Sequence, residues 1–129
     1  MALTEREIRN RDRVLAMYRE VHDAHDRTKI RKYLVEDYIQ HSPAATDGLD
    51  GLGDFLDWLG ATHPGHQNDI KRIFAQDDHV VVHVRVVVPG GTDLAVVDLF
   101  RLNDDGMLVE HWEVVQPVPD DPKNQNGMF

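Results

Sequence analysis

Asp98 is the residue of this chain whose type and setting most need a chemical explanation. It lies in the run Ala95-Val96-Val97-Asp98-Leu99-Phe100, with Val96 and Phe100 two residues away on either side. Side chains alternate faces along a strand, so a strand here puts the carboxylate on an otherwise apolar face. Asp is disfavoured in strand interiors, and a lone carboxylate among apolar groups costs stability unless it is paired, protonated or used. The surrounding stretch, AVVDLFRLNDDGMLVEHWEVVQ (Ala95 to Gln116), predicts two strands about the turn Asn103-Asp104-Asp105-Gly106. With those four residues as the loop, Leu102 faces Met107 and Asp98 faces His111. A carboxylate beside an imidazole is a proton-transfer pair, and the bland alternative is that the two only satisfy each other. His83, in Val80 to Val88, shares a face with Val81, Arg85 and Val87 and falls within one residue of facing Asp98; a bulge decides its face. His41 follows Tyr38 in an extended segment that Pro43 keeps from being helical. Asp98, His41, His83 and His111 are therefore the candidate acid-base set.

Other chemistries are weaker. His22 and His25 at i, i+3 and His63 with His66 have metal-clip spacings, but polar side chains near a helix C-terminus are ordinary, and the second pair has no third ligand type nearby. The glycine-bearing loop Asp47 to Gly53 has no preceding strand and no Lys-Ser/Thr, and its aspartates repel phosphate. The chain has no Cys, which excludes thiol chemistry and disulfides and fits a reducing compartment. Fourteen basic residues against twenty-three acidic ones argue against nucleic acid as a partner. The charged N-terminus and the lack of a long apolar run predict neither leader nor membrane span, hence a cytoplasmic protein.

The elements that must position these side chains follow from periodicity. Thr4 and Glu7 have capping-box spacing, and Ile8, Val14, Leu15, Tyr18 and Val21 recur at helical intervals, predicting a helix over about 5–25. A short second helix holds Ile30, Tyr33 and Leu34, and a third holds Leu52, Phe55, Leu56 and Leu59, with Trp58 at the edge of its apolar face. Residues 61–68 read as a solvated Pro/Gly loop. From Asp69 the period becomes two, with Ile70, Arg72 and Phe74 on one face. The Pro-rich tail, 117–129, is extended, and its Met128 and Phe129 suit docking in an apolar groove. One α+β domain over 1–129 is expected, with three N-terminal helices gathered on one side of a strongly curved, mainly antiparallel sheet. Val97, Leu99 and Trp112 on its convex face suit homodimerisation.

YLVEDYIQHSP (Tyr33 to Pro43) together with Ala95 to Gln116 resembles the SnoaL-like polyketide cyclase family, of the nuclear transport factor 2-like superfamily, and within it the SnoaL-like aldol condensation-catalysing branch. The resemblance implies a conical α+β barrel, a buried apolar pocket and acid-base chemistry with neither cofactor nor metal. It also implies that Asp98 matches the cyclases' general acid/base. Ketosteroid isomerases are similar at Asp98, Arg101 and Gly106, but have an Asp where this chain has His41, and only Tyr18 could stand for their oxyanion tyrosine. The isomerase activity is not carried over on that basis.

Together these observations predict a small hydrophobic carbonyl ligand whose α-proton Asp98 removes while His111, His83 or His41 donates to the enolate oxygen. The carbanion closes a ring or is reprotonated elsewhere, between walls formed by Tyr38, Trp58 and Phe100. The rivals are a non-catalytic ligand-binding or dimerisation module, a metal site of three His with Asp98, and epoxide hydrolysis, which needs a second pocket carboxylate that the sequence does not place.

Overall fold

The computed structural model describes residues 2–129. Helix α1 (Glu5–Met17) opens with the predicted capping box, the Thr4 hydroxyl accepting from the Glu7 N–H and the Glu7 carboxylate accepting from the Thr4 N–H. It does not stay α-helical to residue 25: Tyr18–Asp23 is a π-helical turn, whose i→i+5 bonds accommodate one residue more than an α turn. A 3₁₀ turn (Arg27–Lys29), capped by Asp26, leads into α2 (Ile30–Tyr33), and Leu34 already belongs to β1 (Leu34–Gln40). Then come α3 (Gly48–Thr62), β2 (Gln67–Gln76), β3 (His79–Val87), β4 (Leu94–Leu102) and β5 (Leu108–Pro117).

The five strands form one mixed sheet in the order β1-β5-β4-β3-β2, antiparallel except where β1 lies parallel to β5. The predicted conical barrel and strong curvature are not what forms. The sheet is open, with β1 and β2 as free edges, and it does not curl strongly. Closure would require those two edges to pair. Instead α3 packs on β1 while α1 packs on β2 and β3, so helices cover the ground between the edges.

The helices lie on one face. Val80, Val82 and Val84 of β3 and Val96, Phe100 and Leu102 of β4 point into that layer, against Val14, Met17, Tyr18, Val21 and Leu56. Each such side chain contributes about 1.5–3 kcal/mol by leaving water, which holds the polar groups among them in place. β2 departs from strict alternation: a bulge between Ile70 and Arg72 sends Ile70, Ile73 and Ala75 inward and Arg72 and Phe74 outward. Ile70 thus parts from the face it was expected to share with Phe74.

Candidate active site

β4 and β5 pair with a different register from the predicted one. Leu102 faces Leu108, but a bulge leaves Val109 unpaired, so Asp98 faces Glu113 and His111 faces Phe100. The turn and the bulge together shift the pairing by two, which preserves the face. His111 consequently remains on the side of Asp98, one diagonal step away, with its Nε2 2.8 Å from Asp98 Oδ1. Asp98 Oδ2 accepts from the Tyr18 hydroxyl, and both Asp98 and His111 are buried.

The proton positions on His111 can be argued from its neighbours. Gln40 Oε1 accepts from the Ser42 N–H at 3.0 Å, which fixes that atom as the amide oxygen, and the same oxygen lies 2.7 Å from His111 Nδ1. Nδ1 therefore carries a hydrogen. Nε2 then faces Asp98 with one proton between them, as an ion pair or as a carboxyl donating to a neutral ring. The ring stacks on Phe100 at 4.8 Å, and Phe100 meets Tyr18 edge-on at 6.0 Å. Burial and the Asp98 carboxylate push the Tyr18 hydroxyl well above the usual phenol range, so it stays a donor.

The cluster forms the polar floor of a cavity of about 460 Å³ between the sheet, the π turn and α3. The walls are apolar: Phe55, Trp58, Leu59, Val86, Leu94 and Val96 among them, with no Lys or Arg among the described residues that line it. The π turn places both Tyr18 and His22 on this cavity, their rings 5.7 Å apart. Burial depresses the His22 pKa to about 4, so its imidazole is neutral at pH 7. Burial and the nearby Asp98 raise that of Glu113, whose Oε1 accepts from the Ser42 hydroxyl.

Of the predicted set, Asp98 and His111 are brought together, and Phe100 and Trp58 line the cavity, Trp58 half-exposed at its rim. Tyr38 is buried behind His111 and Phe100 beside a separate space of about 20 Å³, and does not form the wall expected of it. His41 and His83 lie elsewhere. His41 stacks flat on Trp112 at 5.1 Å and bonds Glu110 at 2.7 Å on the outer face of the sheet. His83 faces Val97, with Val82 opposite Asp98, so its ring also points outward, against Arg72 and the Phe129 ring. The metal set of three histidines with Asp98 is therefore not assembled. Asp98, His111 and Glu113 do offer one donor atom each within 4.8 Å of one another, a spacing that could hold a divalent cation.

Sequence reasoning missed Glu113 and His22 as cavity groups. Alternation with His111 already puts Glu113 on the inner face, but the expected register sets it opposite Val96, and only the two-residue shift brings it opposite Asp98. The 61–68 stretch is solvated at most positions, as expected, but not at His66, which is buried 3.2 Å from His25, and Asp23 holds the main chain and side chain of Asn68.

A family model described as a SnoaL-like domain matches residues 10–111. Among solved structures, a candidate SnoaL-like polyketide cyclase from Jannaschia sp. CCS1 aligns at 25% identity and TM-score 0.74, covering 89% of this chain and 90% of that one. A candidate hydroxylase from Streptomyces galilaeus, AclR, aligns at 21% identity and TM-score 0.72, covering 91% of each chain. IdmH from Streptomyces antibioticus, a candidate polyketide cyclase, aligns at 19% identity and TM-score 0.69, covering 82% of this chain and 91% of that one. No curated protein sequence matches the chain.

Proposed function

The chain belongs to the SnoaL-like domain family, and from that premise we propose that it is an acid-base enzyme acting on a small, hydrophobic carbonyl compound, needing no cofactor. The observation that carries this reading is a buried carboxylate, engaged by a phenol and an imidazole, at the polar end of an otherwise apolar cavity. Asp98 removes a proton from a carbon flanked by two carbonyls, and the dry walls keep water from competing for that proton. Tyr18 and the Asp98–His111 proton steady the carboxylate between its two states, and neutral His22 is available as a donor to the enolate oxygen. The carbanion then attacks a second carbonyl of the same molecule, as in an aldol cyclisation, or is reprotonated at another carbon, as in an isomerisation. With no Lys or Arg among the described residues that line the cavity, and carboxylates on its floor, an anionic substrate is disfavoured.

The outer face supports a second part of the proposal, homodimerisation. Phe74, Val81, Leu99 and Trp112 form one continuous cross-strand row there, with Phe74 62% exposed. Val97 lies in the next row, between His83 and Val114.

The test is exchange of the α-protons of neutral 1,3-diketones for deuterium, followed by NMR. Exchange above the buffer rate supports the enzyme. Ligands that perturb cavity signals but exchange no faster than in buffer would identify a binding module.

A further inference from the structure

We propose that Glu113 is the second catalytic group of this site, delivering a proton to the substrate's carbonyl oxygen while Asp98 takes one from the α-carbon. The inference rests on the proposed function and adds to the hydrogen bond from His22 a group that delivers a proton outright. Asp98 and Glu113 are directly opposite on β4 and β5, on the same face, and their carboxyl oxygens come within 4.8 Å. Both line the cavity, where no Lys or Arg is present among the described residues and the charge that His111 can carry is paired with Asp98. Two carboxyls so placed do not both ionise readily, and they hold one proton between them.

The hydrogen bonds decide which of the two carries it. Asp98 is engaged on both oxygens, by Tyr18 and by His111. Glu113 has one hydroxyl partner, Ser42, whose own oxygen accepts from the Ala44 N–H, so the Ser42 proton is committed to Glu113 Oε1. No donor among the described residues is committed to the other Glu113 oxygen, which leaves this carboxyl, directly across from Asp98, to carry the proton.

The step balances without a further reactant. The Cα–H bond breaks towards Asp98, its electron pair becomes the C=C bond of an enol, and the carbonyl π pair takes the Glu113 proton. Asp98 ends protonated and Glu113 ionised, and transfer between the two carboxyls resets them. Because both act from one face of the sheet, the site takes ketones whose α-hydrogen and carbonyl oxygen lie on the same side.

The experiment uses ¹³C-carboxyl NMR titration and the pH profile of α-deuterium exchange on acetylacetone, in wild type, Glu113→Gln and Glu113→Asp. The Glu113 carboxyl is expected to titrate above 4.5 and to move downward in Asp98→Asn. Exchange is expected to fall roughly 10²-fold in Glu113→Gln, to lose the decline at high pH that deprotonation of Glu113 imposes, and to recover in part in Glu113→Asp. An independent Glu113 titrating at the ordinary carboxylate value overturns the proposal, and so does wild-type exchange in Glu113→Gln. Absence of exchange in wild type overturns the enzyme reading itself, and Glu113's role with it. Undiminished exchange in Glu113→Gln overturns only the role of Glu113.

Discussion

Two side chains of the cavity floor depart from their solution acidity in opposite directions, which makes acid stability a residue-scale readout. For His22 the folded pKa of about 4 lies below its ordinary 6.5, so between these values the unfolded chain binds more protons. Its contribution to stability is complete above about pH 6.5 and is lost as pH falls towards 4. Glu113 works the other way: its raised folded pKa adds stability below 4.5 that disappears as pH rises through the folded value. Urea denaturation between pH 7 and 4.5 should show wild type losing on the order of 2–3 kcal/mol to His22, with the slope markedly flatter in His22→Asn. Equal slopes would mean that the imidazole is solvated. Asp98 was legible in the sequence because a charged residue in an apolar alternating run is an anomaly with a physical cost. Glu113 was not, because the expected register sets it opposite Val96, and only the turn and the unpaired Val109 together bring it opposite the carboxylate of Asp98.

At the scale of elements, alternation and capping were readable, whereas bulges and helix irregularities were not. The Thr4-Glu7 box, the three helices and the strands β2 to β5 follow from spacing, whereas β1 was legible only as an extended segment from Tyr38 to His41. The π turn at Tyr18–Asp23 and the bulges in β2 and β5 arise where one residue too many must fit between fixed neighbours, a matter of tertiary packing. Two of them bear on the site: the π turn aims Tyr18 and His22, and the β5 bulge helps to bring Glu113 opposite Asp98. The Asp47–Gly53 stretch invited a phosphate-loop reading, but Gly51 and Gly53 serve close packing and Gly48 adopts a positive φ. A Cβ on Gly51 would lie 2.0 Å from the Thr46 carbonyl oxygen, and that oxygen is main chain, so it cannot rotate away. Gly51→Ala is expected to cost at least about 1–3 kcal/mol, measured as a lowered denaturation midpoint, despite the better helix propensity of alanine. A neutral or stabilising outcome would show that the start of α3 moves freely against the loop before it.

For the whole molecule, β2 to β5 do follow one another as antiparallel neighbours as the turns suggest, though β4 and β5 pair in another register and the parallel place of β1 beside β5 was not legible. The expected barrel does not form, because hairpin order says nothing about whether β1 and β2 meet, and here helices cover the space between those edges. The outer face carries the two histidines expected in the pocket, together with the terminal ring: Phe129 stacks on His83 at 5.7 Å, with Arg85 5.2 Å from its centre. Beside them runs the apolar row of Phe74, Val81, Leu99 and Trp112. If that row joins two copies, Phe74→Glu should halve the mass seen by light scattering and leave α-proton exchange intact, and a wild-type monomer would contradict dimerisation. No helix among the described residues is long and apolar enough to cross a membrane. What the molecule does is tested most directly by the exchange rate of one neutral 1,3-diketone in wild type and in Asp98→Asn, with both proteins verified as folded. An acid-base site centred on Asp98 predicts a loss of about 10² to 10⁴ in the variant. Equal rates in the two proteins would contradict it.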